Sequence, residues 1–183
     1  MTTEEYLRTP ETKVPTELIY GALRVADSPF APHQAAVGDF HIALASHVRE
    51  YGLGRIWLSP LDVIFDAPRA LILQPDLLFI SHERRHIVTD KVRGAPDMVL
   101  EVLSPNPRIG KLGERIGWFA EYGVGECWLL HQPERRVEVL RFAAGAVVQR
   151  NAFDREFHLS SSVRPYFLKS FLLRNTSSTS SGC

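Results

Sequence analysis

Glu101 is the residue whose sequence neighbours most strongly indicate a functional side chain. It interrupts the apolar run Met-Val-Leu-Glu-Val-Leu at residues 98–103, where every neighbour favours burial. An ionised carboxylate in such a strand is costly unless it is paired, hydrogen-bonded or bound to a metal. The spacing therefore predicts either a functional acid, a buried glutamate paired with an arginine, or an edge-strand glutamate that faces water.

Asp76 has a related setting at the start of a second apolar strand. It follows Pro75 and opens Leu-Leu-Phe-Ile at 77–80, at a strand end where side chains can converge on a cleft. Alone it is typical of a turn-forming aspartate. Together with Glu101 it favours a site for Mg²⁺, which takes one or two carboxylates plus water, or for Mn²⁺, which also accepts oxygen ligands. Such an ion polarises a phosphodiester and lowers the pKa of bound water.

The elements that must position these acids are predicted from hydrophobic spacing and from breakers. Apolar residues at helical spacing predict a helix from about Pro32 to Tyr51, and a second helix fits about Gly110 to Tyr122. A hairpin is expected over Glu17–Ala26, turning at Gly21. The remaining predicted strands are Arg55–Leu58, Asp62–Phe65, Leu77–Ile80, Met98–Leu103, Glu126–Leu130, Arg136–Phe142 and Ala146–Arg150, with Leu71–Leu73 leading into the strand at 77.

This order of elements predicts an α/β fold in which a mixed central β-sheet is flanked by helices. The length of 183 residues fits one domain over residues 1–174, with 1–13 as an N-terminal extension. Residues 175–183 are rich in Ser and Thr and are expected to be a disordered tail.

Composition narrows the function classes. Lys plus Arg and Asp plus Glu both total 21, so nucleic acid must be attracted by a local basic patch and not by a global field. The two cysteines do not form a disulfide framework. No apolar run is long enough for a signal peptide or a bilayer span, so we expect a cytoplasmic protein without a membrane partner.

One alternative site is the string His82-Glu-Arg-Arg-His86, which matches the zinc-protease pattern H-E-x-x-H. That pattern needs a helix that places both histidines on one face and a further ligand downstream. Here the string follows a strand directly and lacks helical apolar spacing. An exposed basic loop is the favoured interpretation.

Several linked segments resemble a known family. They are Gln74–Ile80, Gly94–Pro105, Tyr122–Leu130, Glu17–Gly21, His33-Gln34, Gly54–Ile56 and Arg135–Arg141. Over roughly residues 14–142 the chain resembles the family of putative restriction endonucleases often called Uma-two. The resemblance implies the restriction-endonuclease-like core of the PD-(D/E)XK nucleases, and it places His33 at the step from loop to helix beside the cleft.

The resemblance also implies roles for individual residues. Asp76 and Glu101 would hold the metal, with Glu17 as a third carboxylate that completes or orients the site. Members of the family recruit a lysine from the following helix, with an aspartate one turn before it. Here those positions carry Arg115 and Lys111. Arginine stays protonated, so Lys111 would position or deprotonate water, while Arg115 would stabilise charge on the phosphate.

The predicted function is therefore a Mg²⁺- or Mn²⁺-dependent DNA endonuclease acting on double-stranded DNA. A homodimer, in which two sites cut both strands, is an expectation from the resemblance alone. The rival is a catalytically degenerate relative that binds nucleic acid or a protein, and the departures at Lys111 and Arg115 favour it. The residues leave DNA against RNA open.

Overall fold

The computed structural model describes residues 1–10, 14–25, 28–103, 112–132 and 134–153. Its helices are α1 (Thr3–Leu7), α2 (Ala31–Glu50) and α3 (Leu112–Glu121). The predicted site residue Lys111 and the predicted tail at 175–183 lie outside the described residues. No helix in the described ranges combines the length and apolar character needed to cross a bilayer.

Local sequence explains where these helices begin and end. Thr2 caps α1, since its hydroxyl accepts from the Glu5 amide while the Glu5 carboxylate accepts from the Thr2 amide. Helix α2 carries Pro32 in its first turn, where the missing amide hydrogen has no helical partner to lose. Gly52 follows α2 with φ of 59°, a left-handed conformation that glycine adopts without strain. The predicted helix at 32–51 is confirmed.

The strands form two mixed sheets. In chain order they are β1 (Thr16–Ile19), β2 (Ala22–Val25), β3 (Gly54–Leu58), β4 (Val63–Asp66), β5 (Leu71–Leu73), β6 (Leu77–Ser81), β7 (Val92–Arg93), β8 (Met98–Leu103), β9 (Glu126–His131), β10 (Arg136–Ala143) and β11 (Ala146–Phe153). The larger sheet has the order β11-β10-β9-β8-β6-β3, and the smaller has β2-β1-β5-β4-β7. The predicted mixed central sheet is the six-stranded one.

The second sheet changes the role of one predicted segment. Leu71–Leu73 was expected to lead into the strand at 77, but it forms β5, which pairs with β1 and β4 in the smaller sheet. Pro75 cannot donate to a ladder, and it separates β5 from β6. All three residues of β5 are fully buried. The prediction of one continuous approach to β6 is therefore wrong.

Three apolar clusters define the layers. Helix α2 packs on one face of the six-stranded sheet through Leu44, Val48 and their neighbours. The opposite face packs against α3 and the smaller sheet, with Phe119 at the centre. Helix α1 covers the outer face of the smaller sheet, where Tyr6 meets Leu18. Side chains on this face of the six-stranded sheet are therefore enclosed by α3 and the smaller sheet.

Strand register brings the two acids together. Strands β6 and β8 are antiparallel, with Leu77 opposite Leu100. Continuing this register by one residue places Asp76 opposite Glu101. Directly opposed residues of an antiparallel pair share a face and have Cβ atoms about 5 Å apart. The sheet itself therefore forms the acid pair, at the end where β8 finishes and β6 begins.

Candidate active site

Asp76 is fixed by three neighbours. Its Oδ2 accepts a hydrogen bond of 2.8 Å from the Val102 amide. The same oxygen lies 3.3 Å from Nε2 of His33, in the first turn of α2. The Asp76 carbonyl accepts from the amide of Ser59 at 3.1 Å. The carboxylate is therefore tied to the end of β8 and to the helix on the other side of the sheet.

Glu101 lies beside a buried arginine. Nε of Arg115, in the first turns of α3, donates to Oε1 of Glu101 at 2.8 Å. Nη1 of the same guanidinium lies 2.8 Å from each carboxylate oxygen of Glu17 on β1. Arg115 is 8% exposed and Glu17 is 2% exposed, so the three charges are shielded from water. The guanidinium joins the two sheets by ion pairs.

The electrostatics show an excess of negative charge at this point. Burial raises the pKa of Glu101 to about 8; Arg115 opposes that shift, and the charges of Asp76 and Glu17 add to it. Burial works against the charge of Arg115, but Glu101 and Glu17 outweigh it and hold its pKa above the ordinary value. Among the described residues, Arg115 is shared by Glu101 and Glu17 while Asp76 lies opposite Glu101, so a further cation would favour the ionised form of Glu101.

His33 is a neighbour of this pair. Its hydrogen bond to Asp76 raises the pKa of the imidazole, and burial opposes that rise. Nδ1 of His33 is buried and has no hydrogen-bond partner among the described residues. The side-chain amide of Gln132, after β9, donates to the Pro32 carbonyl at 2.8 Å and anchors the start of α2. The sequence-based expectation placed His33 beside the cleft, and here it contacts Asp76.

Glu17 is held from behind by a polar network. The backbone amide of Gln74 donates to Oε1 of Glu17 at 2.7 Å, and the Gln74 side chain donates to Asp62 at 2.7 Å. Asp62 is buried, and it also accepts from the hydroxyl of Tyr6 at 3.0 Å and lies 2.9 Å from Nζ of Lys91. Asp62 opens a strand as Asp76 does, which was the only sequence signal. Gln74, Tyr6 and Lys91 were missed, because their contacts join distant segments.

This network predicts that Lys91→Ala lowers the free energy of unfolding by about 1 to 3 kcal/mol, because Asp62 keeps only neutral donors for a buried charge. Urea denaturation measures the change. Arg93→Ala is the matched control two residues further along the chain, since Arg93 pairs with the exposed Asp90; its effect is expected within about 0.5 kcal/mol. Equal effects of the two variants would contradict a structural role for the Lys91–Asp62 pair.

The zinc-protease pattern lacks the helix that it needs. Residues 82–84 form a turn, and Arg85–Ile87 is a single 3₁₀ turn. Nδ1 of His86 lies 3.3 Å from the carbonyl oxygen of Glu83. His82 and His86 therefore do not share the face of an α-helix, and the zinc hydrolase interpretation has no structural support.

Asp76 and Glu101 suit a hard dication. Within the described residues, hydrogen bonds to these carboxylates go to Oδ2 of Asp76 and Oε1 of Glu101, so Oδ1 and Oε2 are the oxygens that a cation would take. Among those residues no three His, Cys, Asp or Glu side chains form a metal cluster by themselves. Mg²⁺ needs no such cluster, because it keeps several waters and takes one or two carboxylates. The donor set and its surplus negative charge therefore fit Mg²⁺ or Mn²⁺.

Comparisons with known proteins bear on the family and the fold of this chain. Residues 3–167 match the family described as "Putative restriction endonuclease" (Uma2). A crystal structure described as a putative nuclease belonging to DUF820, from Anabaena variabilis, superposes with a TM-score of 0.73 at 23% identity. The alignment covers 94% of this chain and 98% of that chain. No curated protein matches the sequence.

The likeness to the solved structure confirms the predicted restriction-endonuclease-like fold. The family match covers the acid pair, the helix α3 and the two sheets. The predicted resemblance is thereby confirmed, and the chain belongs to the Uma2 family of putative restriction endonucleases.

Proposed function

We propose that the protein is a metal-dependent endonuclease that hydrolyses phosphodiester bonds of double-stranded DNA. The observation that carries the proposal is the placement of Asp76 opposite Glu101 at one sheet end, with one oxygen of each carboxylate not used by described partners. Membership of the family supports a nuclease-type function. Mg²⁺ is the proposed cofactor, and Mn²⁺ is the accepted substitute.

Asp76 and Glu101 are the proposed ligands. When bound, the dication would polarise the phosphodiester and lower the pKa of its water. Arg115 keeps Glu101 in place through a 2.8 Å hydrogen bond, and Glu17 orients Arg115 in turn. Because Asp76 is held by the amide of Val102, its carboxylate plane is set by the backbone of β8. These contacts position the acids before substrate arrives.

Proton transfer needs a different group from Arg115. Arginine is protonated at all working pH values, so it stabilises negative charge and accepts no proton. Lys111 is the proposed group that positions or deprotonates the attacking water. It precedes α3, whose first turns carry Arg115. Arg115 is proposed to stabilise the charge that develops on the phosphate from its place beside Glu101.

The test is the nicking of supercoiled plasmid by wild-type protein with Mg²⁺, with Mn²⁺ and with EDTA. The proposal predicts open-circular and linear products with either ion and none with EDTA. A structured RNA of similar length serves as the alternative substrate. Cleavage of RNA alone would overturn the DNA assignment, and no cleavage by folded protein with either ion would overturn the enzyme.

One observation favours the second candidate, a catalytically degenerate DNA-binding member. Arg115 already neutralises one oxygen of Glu101 and both oxygens of Glu17, as a resident cation would. That candidate predicts DNA binding in EDTA with no metal-stimulated nicking. The free oxygens argue against it, because Oδ1 of Asp76 and Oε2 of Glu101 accept no hydrogen bond from the described residues and are left for a cation.

We further propose that residues 1–174 form one unit that acts in the cytoplasm as a homodimer, so that two sites can cut both strands. Sedimentation equilibrium of the full chain gives the mass directly. A monomer at all concentrations, with nicks confined to single strands, would contradict the dimer without affecting the site.

A further inference from the structure

Four charged or polar side chains form a cluster beside the acid pair. They come from the ends of β9, β10 and β11 and are His131, Arg136, Glu138 and Arg150. None of them belongs to the proposed metal site.

Strand register fixes where the cluster lies. Glu101 on β8 is opposite Leu129 on β9, and Leu129 is opposite Glu138 on β10. The three side chains therefore share one face of the sheet and lie at one level. Neighbouring strands are about 4.8 Å apart, so Glu138 lies about 10 Å from Glu101 across the sheet. His131 is opposite both Leu103 and Arg136, at the end where β8 and β9 finish.

Within the cluster, each carboxylate oxygen of Glu138 already has a partner. Nη1 of Arg150 donates to Oε1 of Glu138 at 2.7 Å, and Nε2 of His131 lies 3.3 Å from Oε2 of Glu138. Nη2 of Arg136 lies 3.5 Å from Nδ1 of His131. Two guanidinium groups against one carboxylate leave a surplus positive charge.

Donors remain for a ligand. Nε of Arg136 is buried and has no hydrogen-bond partner among the described residues. The side chain of Arg150 is 58% exposed, so it presents N–H donors to solvent beside its bond to Glu138. Forked guanidinium donors match phosphate and carboxylate oxygens, and the phosphodiester is the anion that a nuclease-type protein meets.

We propose that Arg136 and Arg150 form a second phosphate-binding site, which holds the cleaved DNA strand at a phosphate upstream or downstream of the one at Asp76 and Glu101. Phosphates on one strand rise by about 3.4 Å per nucleotide along the duplex axis and also turn around it, so a separation of about 10 Å corresponds to only about one or two nucleotides. His131 and Glu138 orient the two guanidinium groups. The inference rests on the proposed function, because it takes the acid pair as the point of cleavage.

The test measures binding separately from cleavage. A fluorescein-labelled DNA duplex is titrated with full-length protein in EDTA, at several salt concentrations, for wild type, R150Q, R136Q and the double variant. Each arginine that contacts a phosphate is expected to contribute about one unit to the slope of log K against log salt, and its loss to weaken binding about tenfold at low salt. The double variant should therefore lose about two units of slope.

The matched control is R55Q. Arg55 is an exposed arginine on β3, at the opposite edge of the same sheet, and its guanidinium lies over the ring of Trp57. The R55Q variant should bind DNA as wild type does. Thermal melting of each variant checks the fold, and R150Q keeps the test valid if R136Q is unstable, because Arg150 is largely exposed.

The outcomes separate this proposal from the nuclease itself. Wild-type slopes for R150Q and the double variant, or an equal loss in R55Q, would overturn the second phosphate site. If wild-type protein nicks plasmid and the double variant binds DNA as tightly as wild type, the proposed nuclease function stands and the second phosphate site is overturned. If the arginine variants lose salt dependence of DNA binding but neither they nor wild type nick plasmid, the second phosphate site stands and the proposed nuclease function is overturned. Wild-type protein that binds no DNA in EDTA overturns the second phosphate site, and plasmid nicking with Mg²⁺ or Mn²⁺ then decides on the nuclease by itself.

Discussion

Arg115→Met is expected to lower the free energy of unfolding by about 3 to 5 kcal/mol, because it leaves two buried carboxylates without their shared cation. Glu17 is 2% exposed, so water does not replace the guanidinium there. Methionine retains much of the apolar stem, while the contact of the guanidinium carbon with the Phe119 ring, 5.5 Å from the ring centroid, is lost with the charge. The loss would thus come chiefly from charge and not from packing.

Urea denaturation measures that loss, and two variants give it meaning. Arg69→Met removes a half-exposed ion pair to Glu121, a hydrogen bond to the Tyr122 hydroxyl and a contact over the Tyr20 ring, and it is expected to cost much less because water screens these charges. Glu17→Gln combined with Arg115→Met should recover part of the lost stability, because one buried charge disappears. A cost for Arg115→Met no larger than that of Arg69→Met would contradict the central ion-pair arrangement.

Asp76→Asn and Glu101→Gln are each expected to reduce metal-dependent plasmid nicking by at least about a thousandfold. Each substitution keeps the shape of the side chain but removes the charge that suits a dication. Several kcal/mol of transition-state stabilisation depend on that ion, and each 1.4 kcal/mol or so corresponds to tenfold in rate. Single-turnover nicking with Mg²⁺, at protein in excess over plasmid, measures the effect.

Asp97→Asn is the control for these two variants. Asp97 precedes β8, at the end opposite to Glu101, and its carboxylate accepts from the Ser81 amide at 2.8 Å. Asparagine can still accept that bond, so nicking should be unchanged. Retained activity in Glu101→Gln, or a similar loss in Asp97→Asn, would count against the assignment of the acid pair.

The sequence predicts the acid pair because both residues break a strong pattern. Glu101 stands out in an apolar strand, and Asp76 stands out between a proline and another apolar strand. Helix α2 is similarly predictable, because its apolar residues recur at helical spacing and Gly52 follows it. For the acid pair and for α2, the local sequence pattern and the tertiary structure favour the same arrangement, so the sequence alone predicts it.

Other parts of the site depend on pairing between distant segments. Glu17 and Arg115 are 98 residues apart in sequence, and their contact arises because the hairpin of β1 and β2 lies against the start of α3. The smaller sheet was not predicted for the same reason. Its strand β5 has only three residues, and nothing local distinguishes it from an approach to β6. Gln74 and Lys91 likewise carry no local signal for their contacts with Asp62.

The role of Arg115 in the structure differs from the role that the sequence predicts. From sequence it departs from the family's lysine and was expected to face the phosphate. In the structure its Nε and Nη1 atoms are engaged by Glu101 and Glu17, so its first role is to hold the acids. Among the described contacts, Oδ1 of Asp76 and Oε2 of Glu101 are then left for a cation.

Binding of Mn²⁺ tests the central claim most directly. The electron paramagnetic resonance signal of free Mn²⁺ is followed as metal is added to wild-type protein and to the Asp76→Asn/Glu101→Gln double variant. We expect a saturable loss of the free Mn²⁺ signal with wild-type protein and no such loss with the folded double variant. Equal binding by both proteins, or no binding by wild type, would contradict a metal site at Asp76 and Glu101.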